Sequence, residues 1–137
     1  GLSARLLERD LEMDTLNARM SEGLYRTSKE RREDPTLEFL YRSAGPVWYR
    51  GMVCTDEKYD PLTPEQTDAL LRRYDADRLL VGHTIFPDIS TFHDGRVIAV
   101  NVQNERNRRK NRGRAVLIEG SRISVVGNRG VKRVLEE

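Results

Sequence analysis

Residues 79–84 read Leu79-Leu80-Val81-Gly82-His83-Thr84, a short apolar run that ends in a glycine and a histidine. The apolar run predicts a buried strand, and Gly82 lets the backbone bend after it. His83 then lies at the C-terminal end of the strand, where open α/β sheets tend to place their ligands. Imidazole binds borderline metals, but a lone histidine specifies no ligand set. Taken alone, the segment leaves open a metal ligand and an ordinary histidine that caps a loop.

The residues before this strand carry helical patterns. Apolar residues recur at mostly helical spacing over 3–20, and a second, short helix is predicted over 35–41. Between them, residues 26–34 have mixed charge and no apolar member, which indicates a solvated helix face or a mobile surface loop. The clearest local signal is the capping box Thr63-Pro64-Glu65-Gln66, which predicts a helix that runs to about Tyr74.

The residues after the strand favour antiparallel pairing. The Asp94-Gly95 turn between β-forming residues 89–92 and 97–102 predicts a hairpin. A second hairpin is predicted within 115–126, followed by an extended piece around 131–135. The expected fold class is therefore α/β (α+β), with helices packed on a mixed, largely antiparallel sheet, as a single domain over 1–137.

Composition narrows the class of protein. The chain has 137 residues, of which 34% are charged and 37% hydrophobic, and its formal net charge of +2 argues against a globally basic nucleic-acid binder. No apolar segment is long enough to predict a membrane span. The single cysteine, Cys54, cannot form an internal disulfide and is expected to pack beside Met52 and Val53. A cytoplasmic protein is expected.

The second histidine, His93, adjoins the Asp94-Gly95 turn and is expected at the surface.

Three blocks together resemble a known family. Gly1-Leu2-Ser3 opens the chain, Gly45-Pro46-Val47-Trp48-Tyr49-Arg50-Gly51 follows a helical stretch, and Gly82-His83-Thr84 comes later. In this order and spacing they resemble the C-terminal half of a calcineurin-like metallophosphoesterase, most like bacterial enzymes that resemble phosphoprotein phosphatases. The family's other metal-binding blocks (Asp-x-His, Gly-Asp-x-x-Asp-Arg-Gly and Gly-Asn-His-Glu) do not occur here. The resemblance implies part of a metallophosphoesterase β-sandwich, with the N-terminal half of the same domain as a partner.

The same resemblance implies a two-metal phosphatase that hydrolyses phosphomonoesters, with phosphoserine or phosphothreonine proteins as candidate substrates. Its two divalent metals would be Mn, Fe or Zn, and His83 would be a metal ligand. Arg50 would clamp the phosphate, because a guanidinium matches two phosphate oxygens at once; a surface ion pair is the alternative. Trp48 and Tyr49 are expected to pack around Arg50. The chain alone is expected to lack activity, because one histidine cannot hold two ions. It is also expected to self-associate.

A basic segment gives a further alternative. Residues 106–114 contain six cations and no apolar residue, so they predict a solvated loop. In the family the corresponding connection overhangs the active site, where Arg108, Arg109 and Lys110 would steer phosphorylated substrates by long-range attraction. The competing class is a non-catalytic binding module, in which this loop contacts nucleic acid or acidic partners. An interaction domain that kept the fold and lost its metals is the third reading.

Overall fold

The computed structural model describes residues 1–130 and 132–136. The chain divides into two compact units, Gly1–Arg78 and Leu79–Glu137. Within the described residues, no helix is both long and apolar enough to cross a membrane.

The first unit is helical. Its α-helices are α1 (Met13–Leu24), α2 (Ser28–Glu33), α3 (Pro35–Tyr41) and α4 (Pro64–Arg73), with single 3-10 turns at Ala4–Leu6 and Glu57–Tyr59. The predicted capping box is confirmed: the Thr63 hydroxyl accepts from the Gln66 N–H, and the Gln66 side chain accepts from the Thr63 N–H. α3 is confirmed over the predicted residues, with Pro35 at its first position.

Two helical predictions need adjustment. The predicted helix over 3–20 is a 3-10 turn followed by α1, which begins only at Met13, because the backbone from Leu6 to Leu11 closes short turns instead of helical bonds. The charged segment 26–34 forms α2, whose capping box joins Thr27 and Glu30. This box is a signal that the sequence already contained.

The helices of the first unit enclose a leucine-rich core. Its apolar side chains with less than 3% exposure are Leu6, Leu37, Leu40, Met52 and Leu70. α1 and α3 approach closely at Gly23, where a β-carbon would lie 2.2 Å from the ring of Tyr41. Only glycine fits there.

The second unit contains two small sheets. The strands are β1 (Leu79–Val81), β2 (Ser90–Phe92), β3 (Val97–Ala99), β4 (Arg114–Glu119), β5 (Arg122–Gly127) and β6 (Lys132–Glu136), with the short helix α5 (Asn104–Arg109) before β4. The first sheet has the order β1-β3-β2, in which β3 pairs parallel to β1 and antiparallel to β2. The second sheet is antiparallel in the order β4-β5-β6.

Both predicted hairpins are confirmed, since β2 pairs with β3 and β4 pairs with β5. The strand β1 is less buried than predicted: among the strands described here it pairs with β3 alone, and Leu80 is 46% exposed. Of the predicted extended piece, Val131 lies outside the described residues and the remainder forms β6.

The coarse fold class is confirmed as a mixture of helices and two small sheets. The finer prediction, a metallophosphoesterase β-sandwich, is not supported. Strands of three residues form the first sheet, and the apolar cluster Ile89, Ile98, Val102, Ile123 and Val125 packs residues of both small sheets together.

Candidate functional site

The block Gly45–Gly51 follows α3 and forms a series of tight turns. A β-carbon at Gly45 would lie 2.0 Å from the carbonyl oxygen of Leu40, so the chain can turn this tightly against the helix only at glycine. The Gly45 carbonyl then accepts hydrogen bonds from the N–H groups of Trp48 and Tyr49, and the Arg50 carbonyl accepts from Val53 and Cys54. Arg50 therefore stands on a backbone that is hydrogen-bonded on both sides.

The first three residues brace this block. The Gly1 nitrogen donates to the Pro46 carbonyl at 2.7 Å, and the fully buried Ser3 hydroxyl donates to the Ala44 carbonyl at 2.7 Å. Ser3 directly precedes the 3-10 turn Ala4–Leu6, but its hydroxyl makes no cap hydrogen bond there and is used in this long-range contact. The segment and the block therefore form one structural element.

Tyr49 is a buried residue directly before Arg50 in the chain, and its predicted packing around Arg50 stays a prediction. Its ring is 6% exposed, and its hydroxyl donates a hydrogen bond to the Asp60 carbonyl. Burial, with a smaller contribution from the Asp60 carboxylate, raises the pKa of Tyr49 to about 12. Tyr49 is thus neutral at physiological pH, and its hydroxyl links the block to the turn at Asp60.

Tyr49 also lines an open cleft of about 740 Å³. Its wall carries four cations, four aromatic rings and one carboxylate: Arg5, Arg42, Arg50 and Lys58; Tyr41, Trp48, Tyr49 and Tyr59; and Asp60. We call it the Arg50 cleft. With a formal charge of +3 on its lining, it favours anions over neutral or cationic ligands.

The cations of the Arg50 cleft differ in their partners. Arg5 lies 4.0 Å from Asp60, while Arg42 and Lys58 pair with Glu38 at 3.0 Å and Asp56 at 2.8 Å. Arg50 pairs with no carboxylate among the residues described; its guanidinium carbon lies 6.0 Å from the centre of the Tyr59 ring. Its planar set of donors is thus available to a ligand.

Trp48 shares the cleft with Arg50, and its predicted packing around that side chain stays a prediction. Its indole is 57% exposed and lines the cleft. Sequence reasoning also missed Arg5, Lys58 and Tyr59, which reach the cleft from two 3-10 turns: Arg5 from Ala4–Leu6, and Lys58 and Tyr59 from Glu57–Tyr59. No spacing rule links them, although Lys58-Tyr59 is a local cation and aromatic pair that could have drawn attention.

His83 belongs to the second unit. It is exposed on a bend after β1 with a φ of 71°, and the Thr84 N–H bonds to the Gly82 carbonyl at 2.9 Å. The part of the chain that the structure describes holds no group of three or more His, Cys, Asp or Glu side chains that could bind a metal. His83 and Arg50 lie in different units, and no pocket described within either unit contains both. The role of His83 as a ligand stays a prediction.

The basic segment 106–114 is only partly a loop: Arg106–Arg109 complete α5, residues 110–113 form a turn and irregular backbone, and Arg114 begins β4. Lys110 lines a second cleft within its unit, whereas Arg108 and Arg109 do not, and Arg109 pairs with Glu105 at 2.8 Å. Two of the three residues predicted to steer substrates therefore lie outside this cleft. Their effect on substrate association stays a prediction.

Comparisons with known proteins give one consistent result. No protein-family model matches the chain, and no curated protein matches it. Solved structures do match. A structure of a cold-active protein tyrosine phosphatase has a TM-score of 0.83 and 26% sequence identity, and the match covers 100% of this chain. The cold-active protein-tyrosine phosphatase of a psychrophile, Shewanella sp., has a TM-score of 0.82 and 26% identity, and covers 99%. The chain spans 38% and 39% of the lengths of these structures.

These matches contradict the resemblance to a calcineurin-like metallophosphoesterase, since the structures that resemble the whole chain are described as protein tyrosine phosphatases. Three short blocks carried that resemblance, and only His83 among their residues is a typical metal ligand. The predicted pair of divalent metals (Mn, Fe or Zn), the metal-dependent mechanism and the inactive fragment rested on the same resemblance and are withdrawn with it. The non-catalytic binding module also finds no support among the matches.

Proposed function

We propose that this chain is part of a phosphatase that hydrolyses aryl phosphomonoesters such as phosphotyrosine, and that the Arg50 cleft binds the phosphate group. Likeness to tyrosine phosphatase structures over 99 to 100% of the chain supports the reaction class. Because the chain spans under two fifths of those structures, the described residues are assigned phosphate binding rather than every step of the reaction.

The observation that carries the proposal is the unpaired guanidinium of Arg50 in a cationic cleft. Pairing with a carboxylate would occupy the donors that a phosphate needs, and Arg50 forms no such pair with a described residue. A guanidinium can donate two parallel hydrogen bonds to two phosphate oxygens, with Arg5, Arg42 and Lys58 adding positive potential. The same contacts would stabilise the negative charge that builds on the phosphoryl oxygens during transfer.

The aromatic wall supports an aryl ester. Trp48 presents an exposed indole, and Tyr59 lies beneath the guanidinium of Arg50. An aryl ring can stack on either aromatic side chain while its phosphate reaches Arg50. The volume of about 740 Å³ lies in the range typical of small-molecule sites.

Cys54 is not assigned a role in the chemistry. It is absent from the residues that line the Arg50 cleft, and its N–H donates to the Arg50 carbonyl at 3.0 Å. Its contribution is to hold the backbone that carries Arg50.

Trp48 provides the test, because it is the only tryptophan of the chain and lines the cleft. Phenyl phosphate should change its fluorescence saturably, and glycerol phosphate should bind more weakly. Arg50→Gln should weaken phenyl phosphate binding by about tenfold or more, since a hydrogen bond to a charged group contributes roughly 1.5 to 3 kcal/mol. Hydrolysis of a phosphotyrosine peptide should fall in the same variant.

Arg72→Gln is the matched control, because it removes an exposed arginine of α4 that does not line the cleft. Its affinity should stay within about twofold of the wild type. Equal affinity of the wild type and Arg50→Gln for phenyl phosphate would reject the assignment of Arg50. Equal affinity for phenyl and glycerol phosphates would reject the aryl preference.

A further inference from the structure

A second cleft, of about 500 Å³, lies within the second unit, and its lining has a basic part and an apolar part. The basic part contains Arg106, Lys110 and Arg112, and the apolar part contains Ile85 and Phe86. We call it the basic cleft. Its residues are separate from those of the Arg50 cleft, so the inference below does not rest on the proposed function.

The cationic wall is only partly neutralised. Arg114 and Asp88 also line the basic cleft, and the two are paired at 3.0 Å, with Arg133 4.0 Å from the same carboxylate. Arg106, Lys110 and Arg112 form no ion pair with any residue that the structure describes. Three cations therefore share one concave surface without an internal counter-charge, an arrangement whose mutual repulsion a bound anion would relieve.

The backbone that carries these cations is held in place. The Asn107 carbonyl accepts hydrogen bonds from the N–H groups of Lys110 at 3.1 Å and Arg112 at 2.6 Å, and the Asn107 N–H donates to Gln103 at 2.8 Å. After the helix, the Arg114 N–H donates to the Asn104 side chain at 3.4 Å. A ligand therefore meets an ordered backbone, which lowers the entropic cost of binding.

Another part of the cleft lining is apolar. Ile85 is 55% exposed, and Phe86 is fixed by a tilted contact with Phe92 at 5.4 Å and by its N–H bond to the Asn101 carbonyl. An apolar side chain placed on Ile85 would be removed from water while a neighbouring anion reached the cations. The basic cleft therefore offers two kinds of contact to one extended ligand.

We propose that the basic cleft binds an acidic peptide segment, with carboxylates on Arg106, Lys110 and Arg112 and an apolar residue on Ile85. A peptide can supply both kinds of side chain at short spacing. A nucleic acid fits less well, because three free cations are fewer than the roughly six to ten phosphate contacts of typical salt-sensitive binders, and Asp88 would face its backbone.

The test uses the full chain and a fluorescein-labelled, glutamate-rich peptide with one central leucine, followed by fluorescence anisotropy. The triple variant Arg106→Gln, Lys110→Gln, Arg112→Gln should lose about tenfold or more in affinity. The control variant Arg108→Gln, Arg109→Gln, Arg129→Gln removes the same charge from exposed positions outside the cleft and should change affinity by less than about threefold.

The apolar contact is tested separately. Ile85→Ser should weaken binding of the leucine peptide and leave binding of the same peptide with serine at its centre unchanged. Equal losses in the two triple variants would mean that net charge alone attracts the peptide, which overturns the proposal. Tighter binding of an oligouridine than of the peptide, lost in the cleft variant alone, would overturn it in favour of a nucleic-acid site.

Discussion

A β-carbon built on Gly51 would lie 2.2 Å from the hydroxyl oxygen of Tyr49. The same atom would lie 2.5 Å from the carbonyl oxygen of Asp60, which accepts the hydrogen bond of that hydroxyl. Gly51 also supplies the carbonyl that receives the Leu62 N–H at 3.0 Å. The glycine after Arg50 is therefore required by the contact between Tyr49 and Asp60.

The first prediction follows from this crowding. Gly51→Ala must displace either the Tyr49 ring or the Asp60 backbone, and it should reduce the free energy of unfolding by about 1 to 3 kcal/mol, the usual range for overpacking. Chemical denaturation measures the change. Gly82→Ala is the control, because a β-carbon there would meet no atom within 4 Å, and it should stay within about 0.5 kcal/mol of the wild type. Similar losses in both variants would refute the steric account.

The second prediction concerns the titration of Tyr49. Its pKa in the folded state is raised to about 12 from an ordinary value of 10.0. Its contribution to stability is therefore fully present below pH 10 and is lost as the pH rises from 10 towards 12, because the unfolded chain releases the proton first. The difference in tyrosinate absorbance between the wild type and Tyr49→Phe should titrate near the upper value. Titration at the ordinary value would show that the hydroxyl is solvated.

The third prediction concerns Asp34, which has two functions in one side chain. It accepts the N–H groups of Thr36 at 2.9 Å and Leu37 at 3.0 Å at the start of α3, and it also pairs with Arg19 of α1. The hydrogen bond from Arg19, followed by that from Leu37, lowers the pKa of Asp34 below its ordinary value of 3.8.

At neutral pH, Asp34→Asn should therefore be less stable than the wild type, because it loses the charge that pairs with Arg19. It keeps an oxygen that can accept the cap hydrogen bonds. Asp34→Ala should be less stable still, because it loses both. Since the folded pKa is lowered, the advantage of the wild type over Asp34→Asn is present above pH 3.8 and disappears as the pH falls through the folded value. Denaturation across the acid range measures it. Asp77→Asn, at an exposed aspartate, is the control.

The local structures were largely predictable. The capping box at Thr63, the short helix that starts at Pro35 and the Asp94-Gly95 hairpin all depend on residues within a few positions of one another, and all are confirmed. The start of α1 was not predictable from spacing alone, since apolar residues at helical intervals also fit the buried turn at Leu6 that precedes it.

The family resemblance shows the limit of short motifs. Three blocks with the right order suggested metals, although they supplied one histidine and no second ligand. Solved structures that match over the whole chain gave a different answer. Likeness over the whole chain tests the path of the backbone at every position, whereas a block of a few residues tests little beyond its own turn.

The sequence by itself determined three local features: the capping box at Thr63, the start of the short helix at Pro35 and the Asp94-Gly95 hairpin turn. Only the tertiary structure decided that Arg5, Lys58 and Tyr59 share a cleft with Arg50, that Trp48 is exposed in it, and that Arg50 lacks a partner carboxylate among the described residues. The physical reason is range: a cap or a turn is closed by neighbours along the chain, but a binding surface depends on which distant segments the apolar core brings together.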